Sequence, residues 1–273
     1  MHYLSFTWNP SEGIDLGFFL IRYYSLMFVV AFTLGWFITK RIFINENLSL
    51  EKLDSLFIYM VIAILLGARL GHVLFYQSDL ILKDPISVLL PFRTVPEFEY
   101  TGFQGLASHG AAIGVIIAMF IYSKKVLKKP VLWILDRVVI AVASGAIFVR
   151  IGNFINSEII GKATNSDFGV IFKQLGEDFP RHPAQLYESF GYIFVFLILW
   201  FVYWKTEKRN QRGFLFGLFL VLLFTVRFFV EFVKEAQVDE RAEWALNTGQ
   251  LLSIPLVLTG LYFIFTSSKK LHD

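Results

Sequence analysis

The chain has 273 residues, 56% of them hydrophobic, with 31 phenylalanines and a mean hydropathy of +0.59. That is too apolar for an ordinary soluble domain and long enough for several membrane spans of about 20 residues. A formal net charge of +3 names no nucleic-acid partner, and the absence of cysteine excludes disulfides, zinc–thiolate sites and a thioester intermediate on this chain.

Residues 1–16 hold no Lys or Arg, and the apolar run after them is too long for a signal core, so a cleavable signal peptide is not expected. Apolar runs predict an all-α polytopic membrane protein with seven spans in a single domain, 1–273: 17–39, 54–76, 105–123, 131–152, 184–204, 213–233 and 249–267. Orientation follows from Lys and Arg. One side carries 13 of them, Lys40, Arg41 and Lys52 among them, and the other side 7, including Lys173 and Lys234. The richer side has the short loops and is read as cytoplasmic, which puts the N-terminus outside and the C-terminus in the cytoplasm. Between the second and third spans, residues 77–104 hold three prolines and an apolar stretch, Ile86 to Leu90, too short to span. Between the fourth and fifth, residues 155–182 read as a small outer cap, with Phe168 to Phe172 as a short strand.

Five arginines stay inside or at the edge of spans: Arg22, Arg69, Arg137, Arg150 and Arg227. A guanidinium at the bilayer centre costs about 2.5–3.5 kcal/mol on insertion scales, so such groups need anionic partners or water. By the topology, Arg22, Arg69, Arg150 and Arg227 lie toward the outer side, with His109 at the same level. Arg137 sits nearer the cytoplasm.

At the end of the fourth span, Arg150, Asn153 and Asn156 recur every third residue, so a helix sets neighbours on one face, with Glu158 following. The cluster either clamps an anion, for which the planar guanidinium fork suits phosphate oxygens, or is a helix-end arginine snorkelling to the interface. Arg227 and Glu231, four apart, either form a self-satisfied ion pair or present Arg227 to a ligand. His109, in Ser108-His109-Gly110, is a proton acceptor near neutral pH or a satisfied structural donor. Gln185 and Glu188 either line the cavity or belong to a plain helix start after Pro183. No His-Glu-x-x-His occurs and the five histidines are scattered, so no metal site is expected.

Together these motifs resemble bacterial prolipoprotein diacylglyceryl transferases. The likeness runs through Ile21 to Tyr24, Gly67 to Gly71, Ser108 to Gly110, the long Arg150-Ile151-Gly152-Asn153-Phe154-Ile155-Asn156-Ser157-Glu158 run to Gly161, His182 to Glu188, Arg227 to Phe232, and Gly249 to Ser253. The resemblance implies transfer of the diacylglyceryl group of phosphatidylglycerol to the lipobox cysteine of a prolipoprotein signal peptide, without cofactor or metal. It implies a bacterial cytoplasmic (inner) membrane protein, among membrane lipids, with its site toward the outer leaflet. Arg150 and Arg227 would bind the lipid phosphate, and His109 would be base or orienter for the thiol. Tyr24, Arg69, Asn153, Asn156 and Glu158 would form the inner shell beside Gly161, supported by Glu188 and Glu231. The chain departs from the family pattern at Ala111, where a second glycine is usual, and at Leu223, where a tyrosine is frequent. A transporter or flippase for an anionic lipid is the alternative. It predicts arginines spread along a through-path, whereas here they gather toward one side. A purely structural membrane scaffold leaves the five arginines unexplained.

Overall fold

The computed structural model describes residues 6–17, 20–90, 92–100, 105, 107–166, 168–235 and 246–269. Pro91, one of the three prolines of residues 77–104, and Arg241 and Lys270, which count among the outer 7 and the cytoplasmic 13, lie outside them, as does the Ser108 side chain. The described chain is mostly helical and forms two compact units, Met1–Ile42 with Leu135–Asp273, and Phe43–Ile134. It has six helices long and apolar enough to cross a membrane, as a polytopic membrane protein requires.

The first unit opens with β1 (Phe6–Trp8) and a hairpin of β2 (Gly13–Asp15) and β3 (Leu20–Arg22). The hairpin corrects the expected start of the first span. Leu20–Arg22 is strand and not helix, Gly17 stands at φ +83°, and Arg22 lies exposed opposite Gly13. Helix α1 begins at Tyr23 and runs to Asn45, beyond the predicted end at 39. Its last turns tolerate cations because aromatic faces receive them. Lys40 stands 4.7 Å over Trp36, and Arg41 lies 5.4 and 5.2 Å from the rings of Trp200 and Trp204.

In the second unit, α2 (Leu50–Tyr76) is followed by the short α3 (Leu80–Lys83) and α4 (Pro85–Leu89), then by the strand pair β4 (Phe92–Arg93) and β5 (Glu99–Tyr100), and by α5 (Ser108–Tyr122). Helices α2 and α5 meet through glycines four apart on each. A Cβ on Gly67 would fall 2.5 Å from the Gly110 carbonyl oxygen, and one on Gly114 2.5 Å from that of Ala63. Without side chains at these points the two backbones touch, the packing mode that small residues permit in lipid. Asp84 caps α4, accepts the Thr94 N–H at 2.7 Å and its hydroxyl at 2.6 Å, and ties the strand pair to the helix.

The remaining elements are α6 (Val131–Ile155), β6 (Val170–Phe172), α7 (Ala184–Lys205), β7 (Gln211–Arg212), α8 (Phe214–Val230), α9 (Thr248–Thr266) and β8 (Ser268–Lys269). Strand β6 falls within the predicted short strand and pairs in parallel with β1. Ile42, Ile140, Ala143, Leu199, Tyr203 and Leu215 are buried in the core of this unit. Asp136, fully buried in α6, accepts the N–H groups of Gly213 and Phe216 at 2.7 and 2.9 Å and so caps the N-terminus of α8, where a carboxylate is favoured. Helix α8 is shorter than the predicted 213–233. It stops at Val230, and Glu231 begins a turn that brings Lys234 alongside Gly161.

Candidate active site

The site grows from the C-terminal end of α6. Arg150 and Asn153 lie one turn apart, and Arg150 Nη1 donates to Asn153 Oδ1 at 3.1 Å. Beyond Ile155 the chain turns back sharply, with Ser157 and Ile159 both in the left-handed region at φ +54° and +56°. That conformation is costly for a β-branched residue and persists only where surroundings enforce it. Here the Glu158 N–H donates to the Asn153 carbonyl at 2.9 Å, and Gln185 Nε2 holds the Glu158 carbonyl at 2.5 Å. The turn folds the Glu158 carboxylate back over the helix end, where it accepts from Asn153 Nδ2 at 3.2 Å and Asn156 Nδ2 at 2.9 Å. Tyr24, at the start of α1, adjoins this group: its phenol has Asn153 as a hydrogen-bond partner and Glu158 and Arg150 as charged neighbours. Gly152 keeps the approach open, since a Cβ there would lie 3.0 Å from the Tyr24 ring.

Carboxylates from α7 and from the turn after α8 complete the arrangement. Arg150 Nε lies 2.7 Å from Glu188 Oε2, and Glu188 is fully buried. Arg227, near the end of α8, has Nε 3.7 Å from Glu231 Oε1. Lys234 joins the two pairs, its Nζ 2.9 Å from both Glu188 Oε1 and Glu231 Oε1. Five ionised side chains thus form one connected group, three positive and two negative. Glu231 is fixed further by Asn247 Nδ2, which donates to its Oε2 at 3.1 Å and its backbone carbonyl at 2.9 Å. Asn247 is itself locked by a capping box with Gln250 at the start of α9. In water such pairs contribute little, but in a buried setting unpaired charge is expensive and the partners are obligatory.

Gly161 occupies a backbone crossing. Its N–H donates to His182 O at 3.0 Å, and a Cβ would lie 2.4 Å from that oxygen and 2.8 Å from the Val233 carbonyl oxygen. Only glycine lets residues 161–162 pass between 181–182 and 233–235. Arg181, outside the helices, clasps Glu177 at 2.5 Å and also Glu235; the Glu177 hydrogen bond is the main reason its guanidinium holds its proton beyond the ordinary arginine range.

These geometries bring together eight of the expected residues, Tyr24, Arg150, Asn153, Asn156, Glu158, Glu188, Arg227 and Glu231. Arg69 and His109 belong to the other unit. Arg69 is nearly buried and donates from Nε to the Val88 carbonyl at 3.1 Å and from Nη2 to that of Ser87 at 2.6 Å. His109 is exposed at the start of α5, its ring 5.0 Å from Phe75 and 5.9 Å from Tyr76.

A family model described as prolipoprotein diacylglyceryl transferase matches residues 12–266. The chain belongs to the prolipoprotein diacylglyceryl transferase family. Among the family's curated members, the phosphatidylglycerol–prolipoprotein diacylglyceryl transferase of Bacteroides fragilis is 41% identical over 98% of this chain and 97% of its own length. The enzyme of the same name from Tolumonas auensis is 38% identical over 96% and 98%, and that from Ehrlichia canis 36% identical over 89% and 90%. The family match spans every member of the charged group.

Lys234 lies outside the residues that the motifs single out and reads from the sequence as an outer loop charge. A signal was present, because it follows Glu231 by three residues, but its second partner lies 46 residues away on α7, beyond any local spacing rule.

Proposed function

We propose that this chain transfers the diacylglyceryl group of phosphatidylglycerol to the lipobox cysteine thiol of prolipoproteins, the first step of lipoprotein maturation. Family membership over nearly the whole chain supports the reaction class. The observation that carries the reading to residues is the convergence of Arg150 and Arg227, from two helices, on carboxylates bridged by one lysine. In the reaction the cysteine sulfur attacks the glyceryl carbon that bears the phosphate ester. The S–C bond forms, the C–O bond breaks, glycerol phosphate departs with that electron pair, and the thiol gives up its proton. Negative charge grows on the phosphate as the C–O bond lengthens, and preorganised guanidinium groups in a water-poor site stabilise it. Arg150 and Arg227 take that part. Tyr24, Asn153, Asn156 and Glu158 shape the surroundings, Glu188 and Glu231 hold the arginines, and Gly161 holds the loop. His109 is proposed as base or orienter for the thiol. Arg69 enters as a positioning residue, because two of its nitrogens already serve carbonyls of the α4 segment.

The test uses purified full-length protein, phosphatidylglycerol and a lipobox peptide, with the thioether product followed by mass. Arg150→Ala and Arg227→Ala are expected to abolish most of the product. Undiminished thioether formation by a folded variant rejects the role of that arginine. A small loss for His109→Asn makes it an orienter, a large one a base. The names of the relatives and the gathered arginines disfavour a flippase. Labelled phospholipid that crosses a liposome bilayer without any product would reverse that choice.

The finer topology belongs to the same proposal: seven spans including Phe214–Val230, an external N-terminus, a cytoplasmic C-terminus, a 155–182 cap, and a site toward the outer leaflet of the bacterial inner membrane. The cysteine-free sequence makes its test clean. A membrane-impermeant thiol reagent on intact spheroplasts should label Lys173→Cys and not Lys128→Cys; the reverse pattern inverts the topology.

A further inference from the structure

We propose that Lys234 is a positioning residue that keeps Arg227 available to a singly charged phosphodiester, a claim that rests on the anion-binding reading above. Two arginines and two glutamates left alone would pair off into a neutral, closed set. Lys234 leaves Arg150 on Glu188 at 2.7 Å but holds Glu231 off Arg227, at 3.7 Å. It is 3% exposed, and its ammonium occupies one oxygen of each carboxylate at 2.9 Å. With it, the five joined side chains carry a net charge of +1, which a phosphodiester of charge −1 neutralises. Of the other acidic groups nearby, Glu158 is exposed and reaches the set through Asn153, and Glu235 is taken up by Arg181.

The competition is visible at Glu231. Lys234 takes Oε1 at 2.9 Å, Asn247 takes Oε2 at 3.1 Å, and the carboxylate lies against Gly249, where a Cβ would come within 2.3 Å of its carbon. Held in this way, Glu231 meets Arg227 only at the edge of ion-pair range. Its Oε1 stays 3.7 Å from Arg227 Nε, and that nitrogen, though buried, donates no hydrogen bond among the described residues. A buried guanidinium donor without an acceptor is costly, and an anionic oxygen is the acceptor that would relieve it. Lys234 itself is pinned: its backbone pairs with Gly161, and the Lys162 N–H donates to the Val233 carbonyl at 2.8 Å.

The experiment compares wild type, Lys234→Arg, Lys234→Met and Lys234→Gln, each full length and monodisperse. Loss of one charge at roughly 10 Å and an effective dielectric near 20 predicts a rise of about tenfold in KM for phosphatidylglycerol in Lys234→Met. KM for the peptide should not move, whereas a merely structural lysine would move both KM values together. Lys234→Arg should restore the lipid KM. Wild-type lipid KM in Lys234→Met, or an equal rise in both KM values, overturns the proposal. If Lys234→Met does not fold, Lys234→Gln, which keeps hydrogen-bond donors and loses the charge, carries the test alone: a tenfold rise in lipid KM supports the proposal and wild-type KM overturns it. The same four proteins, titrated with phosphatidylglycerol and phosphatidylcholine nanodiscs, separate two failures. Lipid binding without any thioether product sinks the reaction, and the binding constants still judge Lys234.

Discussion

Arg69 in the α2–α5 unit and Arg150 in the α6–α9 unit are both nearly buried, yet they are satisfied by different chemistry. Arg69 donates to two neutral carbonyls of the segment that follows α2, so its donors fix a loop. Arg150 faces a carboxylate that is shared with Lys234, so the charge of Glu188 is divided between two cations. The scaffolding differs in the same sense. Helices α2 and α5 are joined by bare backbone at Gly67, Gly71, Gly110 and Gly114, whereas α6, α7 and the end of α8 are joined by ion pairs. An arginine given to carbonyls supports structure. One held by a shared carboxylate retains attraction for an incoming anion.

The largest effect that sharpens this contrast is expected at Arg150. Arg150→Ala should lower kcat/KM by on the order of 100–1,000-fold, the range for removal of one preorganised charge-stabilising donor, with the protein still folded by size exclusion. Equal losses for Arg69→Ala and Arg150→Ala would erase the distinction. Next comes Gly110→Val. The new Cβ meets the Gly67 carbonyl oxygen at 2.3 Å, so overpacking by about 1–3 kcal/mol or more should appear as a lower melting temperature in detergent. Unchanged melting would show that α2 and α5 are not in backbone contact. Arg69→Ala should release about 1.5–3 kcal/mol of charge-assisted hydrogen bonding and speed hydrogen exchange in residues 84–90. The smallest effect concerns pH. The Thr94 side chain and N–H hold the Asp84 carboxyl below the usual carboxylate range. The ionised form is the one stabilised, so its contribution is present above the ordinary aspartate pKa and is lost as pH falls through the depressed value. Proteolysis of residues 79–100 should therefore accelerate at low pH, and Thr94→Val should move that onset upward. An onset that ignores Thr94 would separate Asp84 from the effect.

Much of the fold was legible because lipid imposes long apolar runs, and apart from α1, displaced by six residues at each end, the long helices lie within a few residues of the predicted spans. The misplaced boundaries were those set by packing. Glycine at positive φ and a hairpin moved the start of α1 past Arg22, and the rings of Trp200 and Trp204 carried its end past Arg41. Spacing along α6 announced Arg150 with Asn153, and spacing along α8 announced Arg227 with Glu231, since residues three or four apart share a helical face.

By itself the order of residues determined the membrane class, the family, and the helical faces on which arginine, asparagine and glutamate stand together, because those depend on local period and hydropathy. Which carboxylate meets which cation was decided only by tertiary structure. Glu188 and Lys234 are 46 residues apart, and their 2.9 Å contact exists because the Gly161 crossing, the turn after α8 and the start of α7 bring them to one place.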